Sequence, residues 1–225
     1  MLIIAQHSAS ARSSCRSASA LKHAVEQSAH MASINIRATK DNRLVVTPYV
    51  HLDNDRRKPK IRSLTLKEIR RYSAGSPHPM QTIDEALATL LGTVFVEIRF
   101  QERSAIAPLL TALAPYTARK NGWKNFLLSA DNPFILLQLR RVAPHAQLGL
   151  RHRRYPLTFL TWQPVLQLSA VGLHRLHTTS VAVEAAHTLD LFVYAYTVNR
   201  TAALKKLAEL DVDAVASDTP EKLRL

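Results

Sequence analysis

The 225-residue chain is 47% hydrophobic and 21% charged, a balance that supports a buried core and excludes a disordered polymer. Its single cysteine, Cys15, excludes an intrachain disulfide framework and an all-cysteine metal site, and suits a reducing, cytoplasmic setting. No run approaches the ~20 apolar residues of a membrane span, while 30 Lys and Arg against 17 Asp and Glu leave a formal charge of +13, suited to polyanions or an anionic membrane as well as to plain solubility.

Residues 2–6 read as a short apolar strand ending in Gln6-His7-Ser8. A Ser/Ala/Arg-rich loop from Ser10 to Ser19 holds Cys15, with no neighbour in sequence to activate the thiol. The spacing of Leu21, Ala24 and Val25 predicts a helix over 20–27. Ile34 and Ile36 then alternate with Ser33, Asn35 and Arg37, the period of a strand, and Asp41-Asn42 supplies a turn into a second run, Leu44-Val45-Val46.

The densest basic run, Arg56 to Arg62, reads either as a solvated loop or as a polyanion-contacting surface, and its lack of interleaved aromatics speaks against single-stranded nucleic acid. Thr65 and Glu68 form a capping-box pattern at a helix start. After the Pro77-His78-Pro79 break, a second helix starts at Thr82. Strand and helix then alternate: a strand at Val94–Arg99, a helix near 104–114, a strand at Phe126–Ser129, a helix at Pro133–Val142 and a strand at Gln147–Leu150.

Arg151 to Arg154 are expected in the loop that follows, where in a closed barrel they ring the C-terminal mouth, the functional face of that fold, or else form an ordinary solvated loop. Val171-Gly172-Leu173 opens the next strand, and His174 with His177 supplies too few ligands for a zinc site. The strand at Leu191–Asn199, the helix from Ala202 to Leu210 and the segment Asp213 to Pro220 close the series. Strands alternating with helices predict an α/β fold with parallel strands.

Several motifs resemble those of the glycerophosphodiester phosphodiesterases. They are Thr39-Lys40-Asp41-Asn42 followed by Leu44-Val45-Val46, Leu64-Thr65-Leu66 before Glu68-Ile69, Thr82-Ile83 before Glu85-Ala86-Leu87, Tyr196-Thr197-Val198-Asn199, and Asp213 to Pro220. The resemblance implies one (β/α)₈ TIM barrel of the PLC-like phosphodiesterase type over residues 1–225, near the low end of the roughly 200–400 residues usual for that fold. The barrel is expected to be the whole chain and little else.

The resemblance also implies which positions surround the pocket: Gln6, His7, Ser33, Asn35, Pro48, Glu97, Arg99, Ser129, Tyr196 and Asn199. Enzymes of the family hydrolyse glycerophosphodiesters to glycerol 3-phosphate and an alcohol, with a divalent cation such as Mg²⁺ or Ca²⁺ held by three carboxylates and two histidines as acid and base. Here Gln6 and Pro48 stand at the histidine positions and Ser33 and Asn35 at two carboxylate positions, leaving Glu97 as the one surviving candidate ligand. Neutral oxygens offset none of a hard cation's charge, so no catalytic residue set is intact and no cofactor is expected.

Three readings follow from this. One is a degenerate relative that binds a phosphodiester or other phosphate-containing small molecule without metal-dependent hydrolysis. The second is an active phosphodiesterase with rearranged residues, drawing on His7 or His51 with Arg99. The third is a basic scaffold for polyanions, acting through Arg56 to Arg62 and Arg151 to Arg154. In the first, Glu97 is expected at the mouth with Arg99 as its partner.

Overall fold

In the computed structural model eight parallel strands close into a barrel, with helices packed around it as in a TIM barrel. The structure describes residues 1–7, 17–27, 29–52, 55–74, 79–92 and 94–223, so Ser8, Cys15 and the Pro77-His78 break lie outside the described residues.

The strands are β1 (Leu2–Gln6), β2 (Met31–Ala38), β4 (Phe95–Arg99), β5 (Phe126–Ala130), β6 (Gln147–His152), β7 (Ala170–His174), β8 (Phe192–Tyr196) and β9 (Ala214–Ser217). β1 pairs with both β9 and β2, which closes the ring and leaves no open edge. The short strand β3 (Leu44–Val46) lies outside it, antiparallel to β2. Around the barrel run α1 (Ala18–Gln27), α2 (Leu66–Ser73), α3 (Ile83–Leu90), α4 (Ile106–Thr117), α5 (Pro133–Val142), α6 (Phe159–Leu166), α7 (Ser180–His187) and α8 (Thr201–Ala208). Among the described residues no helix is long and apolar enough to cross a membrane.

The turn between β2 and β3 forms because Asn42 takes the left-handed backbone (φ 55°) that asparagine tolerates. The Asp41 carboxylate accepts hydrogen bonds from Thr39 Oγ1 (2.6 Å) and from Leu66 N (3.1 Å) at the start of α2. The Thr39 bond leads in holding its pKa below the usual range. The turn is thereby tied to a helix twenty-odd residues on. The predicted capping box of Thr65 with Glu68 is present at α2, and a second one, Thr82 with Glu85, opens α3.

Strand alternation sorts the side chains into two cores. Residues such as Ile34, Ile36, Val96, Ile98 and Leu128 point outward into the main apolar layer beneath the helices, with Leu109, Leu113, Leu136 and Leu139. Their neighbours point inward. There Ile4, Met31, Leu127 and Ala170, backed by Phe95 and Phe192, fill the lower end of the barrel, and Tyr194 and Tyr196 rise above them.

Several element ends shift by one to three residues from the sequence expectation, and two of these shifts bear on the site. β6 continues through Arg151 to His152, because it pairs residue for residue with β7 as far as His152 opposite Leu173. β8 stops at Tyr196, and Asn199 belongs to the loop beyond it.

Candidate functional site

The inward residues of β2, β4, β5 and β8 meet at one level around Glu97. Ser33 is level with Glu97 in the β2–β4 pairing, so its Oγ donates to Glu97 Oε2 at 2.6 Å. From β5, Ser129 Oγ donates to Oε1 at 2.6 Å, and from across the barrel Tyr194 Oη donates to the same oxygen at 2.6 Å. Glu97, Ser33, Ser129 and Tyr194 are all buried. Short hydroxyl-to-carboxylate bonds are about twice as strong as neutral ones, and three of them occupy both carboxylate oxygens. Burial pushes the Tyr194 phenol well above its usual pKa, the Glu97 carboxylate pushes it further, and Arg151 pulls against both. Tyr194 therefore remains a neutral donor.

Directly above, Arg151 enters from β6. Its side chain is buried, with the guanidinium carbon 3.6 Å from the centroid of the Tyr196 ring and 6.0 Å from that of Tyr194. Such stacking is worth about 2 kcal/mol when desolvated. Arg151 Nε and Nη1 are buried without a hydrogen-bond partner. Room for this side chain comes from Gly172, which pairs with Arg151 on one side and Tyr194 on the other.

The upper surface of this layer is the floor of a cavity of about 640 Å³ at the C-terminal ends of the strands. Of the expected positions, Gln6, His7, Asn35, Pro48, Arg99, Tyr196 and Asn199 line it. Ser33, Glu97 and Ser129 lie beneath. The expectation that Glu97 faces Arg99 at the mouth is corrected: Glu97 is two residues earlier on β4, one layer deeper, and its partners are three hydroxyls. Asn35 Nδ2 donates to the His7 carbonyl at 3.3 Å, and Asn199 Oδ1 accepts from Ser217 Oγ and from Asp218 N. His51 is absent from this lining; it makes an isolated bridge with Lys60.

Arg151 and Arg153, expected at the C-terminal mouth, line the cavity, whereas Arg37, Asp131, His174 and Arg175 were not singled out as cavity residues. Arg37 is held by Glu102 at 2.7 Å. Burial raises the pKa of Asp131, and Gln101 and Arg153 oppose that. Burial lowers that of His174, helped by Arg175 and His177. The mouth thus holds its guanidinium groups against a carboxyl made harder to ionise and an imidazole made harder to charge. The available signal was the alternation Gln147, Gly149, Arg151 on β6 and Phe192, Tyr194, Tyr196 on β8.

Residues 9–222 match the Glycerophosphoryl diester phosphodiesterase family. The chain belongs to that family. It is 24% identical over 220 residues to a glycerophosphodiester phosphodiesterase of Caldanaerobacter subterraneus subsp. tengcongensis, covering 91% of this chain and 88% of the relative. Its fold is similar to that of an Oleispira antarctica phosphodiesterase solved with the product sn-glycerol-3-phosphate, with TM-score 0.84, 19% identity and coverage of 99% and 95% of the two chains. It is also similar to the glycerophosphodiester phosphodiesterase of Thermotoga maritima, with TM-score 0.79, 18% identity and coverage of 98% and 96%.

The divalent ion that this family implies does not fit the residues present. A hard cation wants about six to eight oxygen ligands, preferably charged. Here both oxygens of Glu97 already accept hydroxyl protons, and the Ser33 hydroxyl is turned toward that carboxylate. Pro48 brings no donor atom on its side chain, and Arg151 places a fixed positive charge over the same layer. Among the described residues no group of three or more His, Cys, Asp or Glu could hold a metal ion.

Proposed function

We propose that this phosphodiesterase-family barrel binds a phosphate ester or a comparable small anion in its mouth and does not hydrolyse it by the metal-dependent route. The observation that carries the reading is the Glu97 carboxylate, closed off by Ser33, Ser129 and Tyr194. The charge a metal would supply is provided instead by guanidinium groups at Arg99, Arg151, Arg153 and Arg175. Arginine suits phosphate because its planar fork can give two parallel hydrogen bonds to one phosphoryl group. Arg99 Nε and Arg151 Nε and Nη1, buried without partners, are donors of that kind. A fold neighbour solved with sn-glycerol-3-phosphate supports the same ligand class.

Calorimetry with glycerol 3-phosphate and inorganic phosphate tests binding, on wild type, Arg99→Met and Arg151→Met. Both ligands are expected to bind, and either substitution to weaken binding about tenfold, the size of one lost charge-assisted hydrogen bond. A parallel assay on glycerophosphodiesters with Mg²⁺, Ca²⁺ and Mn²⁺ is expected to show no metal-dependent turnover. Turnover that rises with metal and disappears in Glu97→Gln would overturn the reading.

The alternative of hydrolysis by rearranged residues draws on His7, which lines the mouth with Arg99. Metal-independent turnover lost in His7→Gln would select it. The polyanion-scaffold reading keeps the exposed Arg56, Arg57 and Lys60, and is selected if phosphate binding survives every mouth substitution but is lost on neutralising those cations.

A further inference from the structure

The loops that follow β5, β6 and β7 carry an unusual share of exposed apolar surface. Six of the twelve large hydrophobic side chains exposed among the described residues fall in the short stretches 131–134, 153–160 and 175–181. Phe134 stands at the start of α5, in edge-to-face contact with Trp162 of α6 at 5.1 Å. Tyr155, 72% exposed, and Leu157 occupy the β6–α6 loop, with Leu160 in the first turn of α6. Leu176, 67% exposed, and Val181 follow β7. All six come after C-terminal strand ends, so they lie on the face of the barrel that holds the mouth. Elsewhere the exposed large hydrophobics are scattered, which is ordinary; clustering on one rim is not.

The charges on the loops after β6 and β7 have one sign, while the loop after β5 carries Asp131. Arg153, Arg154 and Arg175 are exposed between the apolar side chains, and stretches 153–160 and 175–181 contain no Asp or Glu. Arg153 and Arg175 also line the mouth, so the rim and the cavity are continuous. Aromatic and aliphatic side chains interleaved with arginines, on a chain of net charge +13, have the chemistry of an interface with anionic lipid. A symmetric pairing of two such rims would set arginines against arginines, which disfavours a second copy as the cover.

We propose that the rim formed by the loops after β5, β6 and β7 docks on an anionic lipid bilayer, with Tyr155 and Leu176 entering the headgroup region and Arg153 and Arg154 meeting lipid phosphates. Docked in this way, the mouth faces the bilayer surface. The inference concerns the rim and does not depend on what the mouth binds.

Sedimentation with vesicles of phosphatidylcholine, and of phosphatidylcholine mixed with phosphatidylglycerol, tests it on the full chain. Wild type is expected to sediment with the mixed vesicles, less at high salt, and hardly at all with neutral ones. Tyr155→Ser with Leu176→Ser should weaken this by on the order of tenfold, since two side chains lose an apolar environment. Arg153→Gln with Arg154→Gln should weaken it comparably and flatten the salt dependence. Every substituted position is exposed, so unchanged unfolding midpoints check the fold. The proposal is overturned by equal binding to both vesicle types, or by binding that the rim variants leave unchanged. Loss on Arg56→Gln with Arg57→Gln, or a concentration-dependent dimer abolished by Tyr155→Ser, would overturn it as well.

Discussion

Gly172 leaves open the volume that the Tyr194 phenol fills: a Cβ at position 172 would sit 2.6 Å from Tyr194 Cζ and 3.0 Å from Arg151 Cγ. Both neighbours are buried, and Tyr194 is fixed at its far end by Glu97, so neither can yield freely. Gly172→Ala is therefore expected to cost about 1–3 kcal/mol, the usual range for overpacking. Urea unfolding would measure this, and an unchanged midpoint would show that the ring has somewhere to move.

The three hydroxyl bonds to Glu97 predict a graded response. Tyr194→Phe removes one donor to a charged acceptor and should cost about 1.5–3 kcal/mol. Glu97→Gln should cost at least as much, because one acceptor oxygen replaces two and the new amide needs partners of its own. Both would be read from equilibrium unfolding. A neutral or stabilising Glu97→Gln would contradict a carboxylate held by three hydroxyl donors.

His152 predicts a pH dependence. Burial lowers its imidazole pKa from 6.5 to about 4, and Nε2 has no hydrogen-bond partner. Between those values the unfolded chain takes up a proton that the folded chain refuses. Its contribution is therefore complete above the unfolded value and is lost as pH falls toward the folded one. Allowing for partial exposure, the loss is about 1–3 kcal/mol. Unfolding of wild type and His152→Gln, near pH 7 and near pH 5, would test this. The variant should lose less stability on acidification, and parallel losses would count against the assignment.

On the reading proposed above, placing carboxylates and a histidine at Ser33, Asn35 and Pro48 should not by itself confer metal-dependent hydrolysis. Ser33→Glu, Asn35→Asp and Pro48→His would set a second carboxylate against Glu97 in a site with no exposure, beneath Arg151. The triple variant is expected to be destabilised and to lack Mg²⁺-dependent hydrolysis until Gln6, Tyr194 and Arg151 are also replaced. Hydrolysis of glycerophosphodiesters by the triple variant alone, above wild type, would contradict this.

Local chemistry made the turns and helix starts legible, whereas the closed barrel was read from the family resemblance and not from periodicity. Asn42 supplied the left-handed turn, Thr65 with Glu68 a capping box, Thr82 a helix start, and the Ile34/Ile36 alternation gave the inward and outward faces of β2. What could not be read was depth along the barrel axis. Glu97 and Arg99 share a face in sequence, yet strand pairing puts Glu97 level with Ser33 and Arg99 level with Asn35, one layer apart. Arg151 was hidden by its neighbours: next to His152, Arg153 and Arg154 it reads as a hydrated loop residue, and only pairing with Gly172 carries it into the interior.

The hydroxyl cage has one more consequence, for how the molecule matures. In a barrel whose central carboxylates await a cation, the last step of assembly depends on the ion supply, and chelation leaves buried like charges facing one another. Here Ser33, Ser129 and Tyr194 come from the same polypeptide as Glu97, so the inner layer is completed by chain closure alone. The protein should reach its native state at the same rate in EDTA as in excess magnesium, and its abundance should be indifferent to metal starvation.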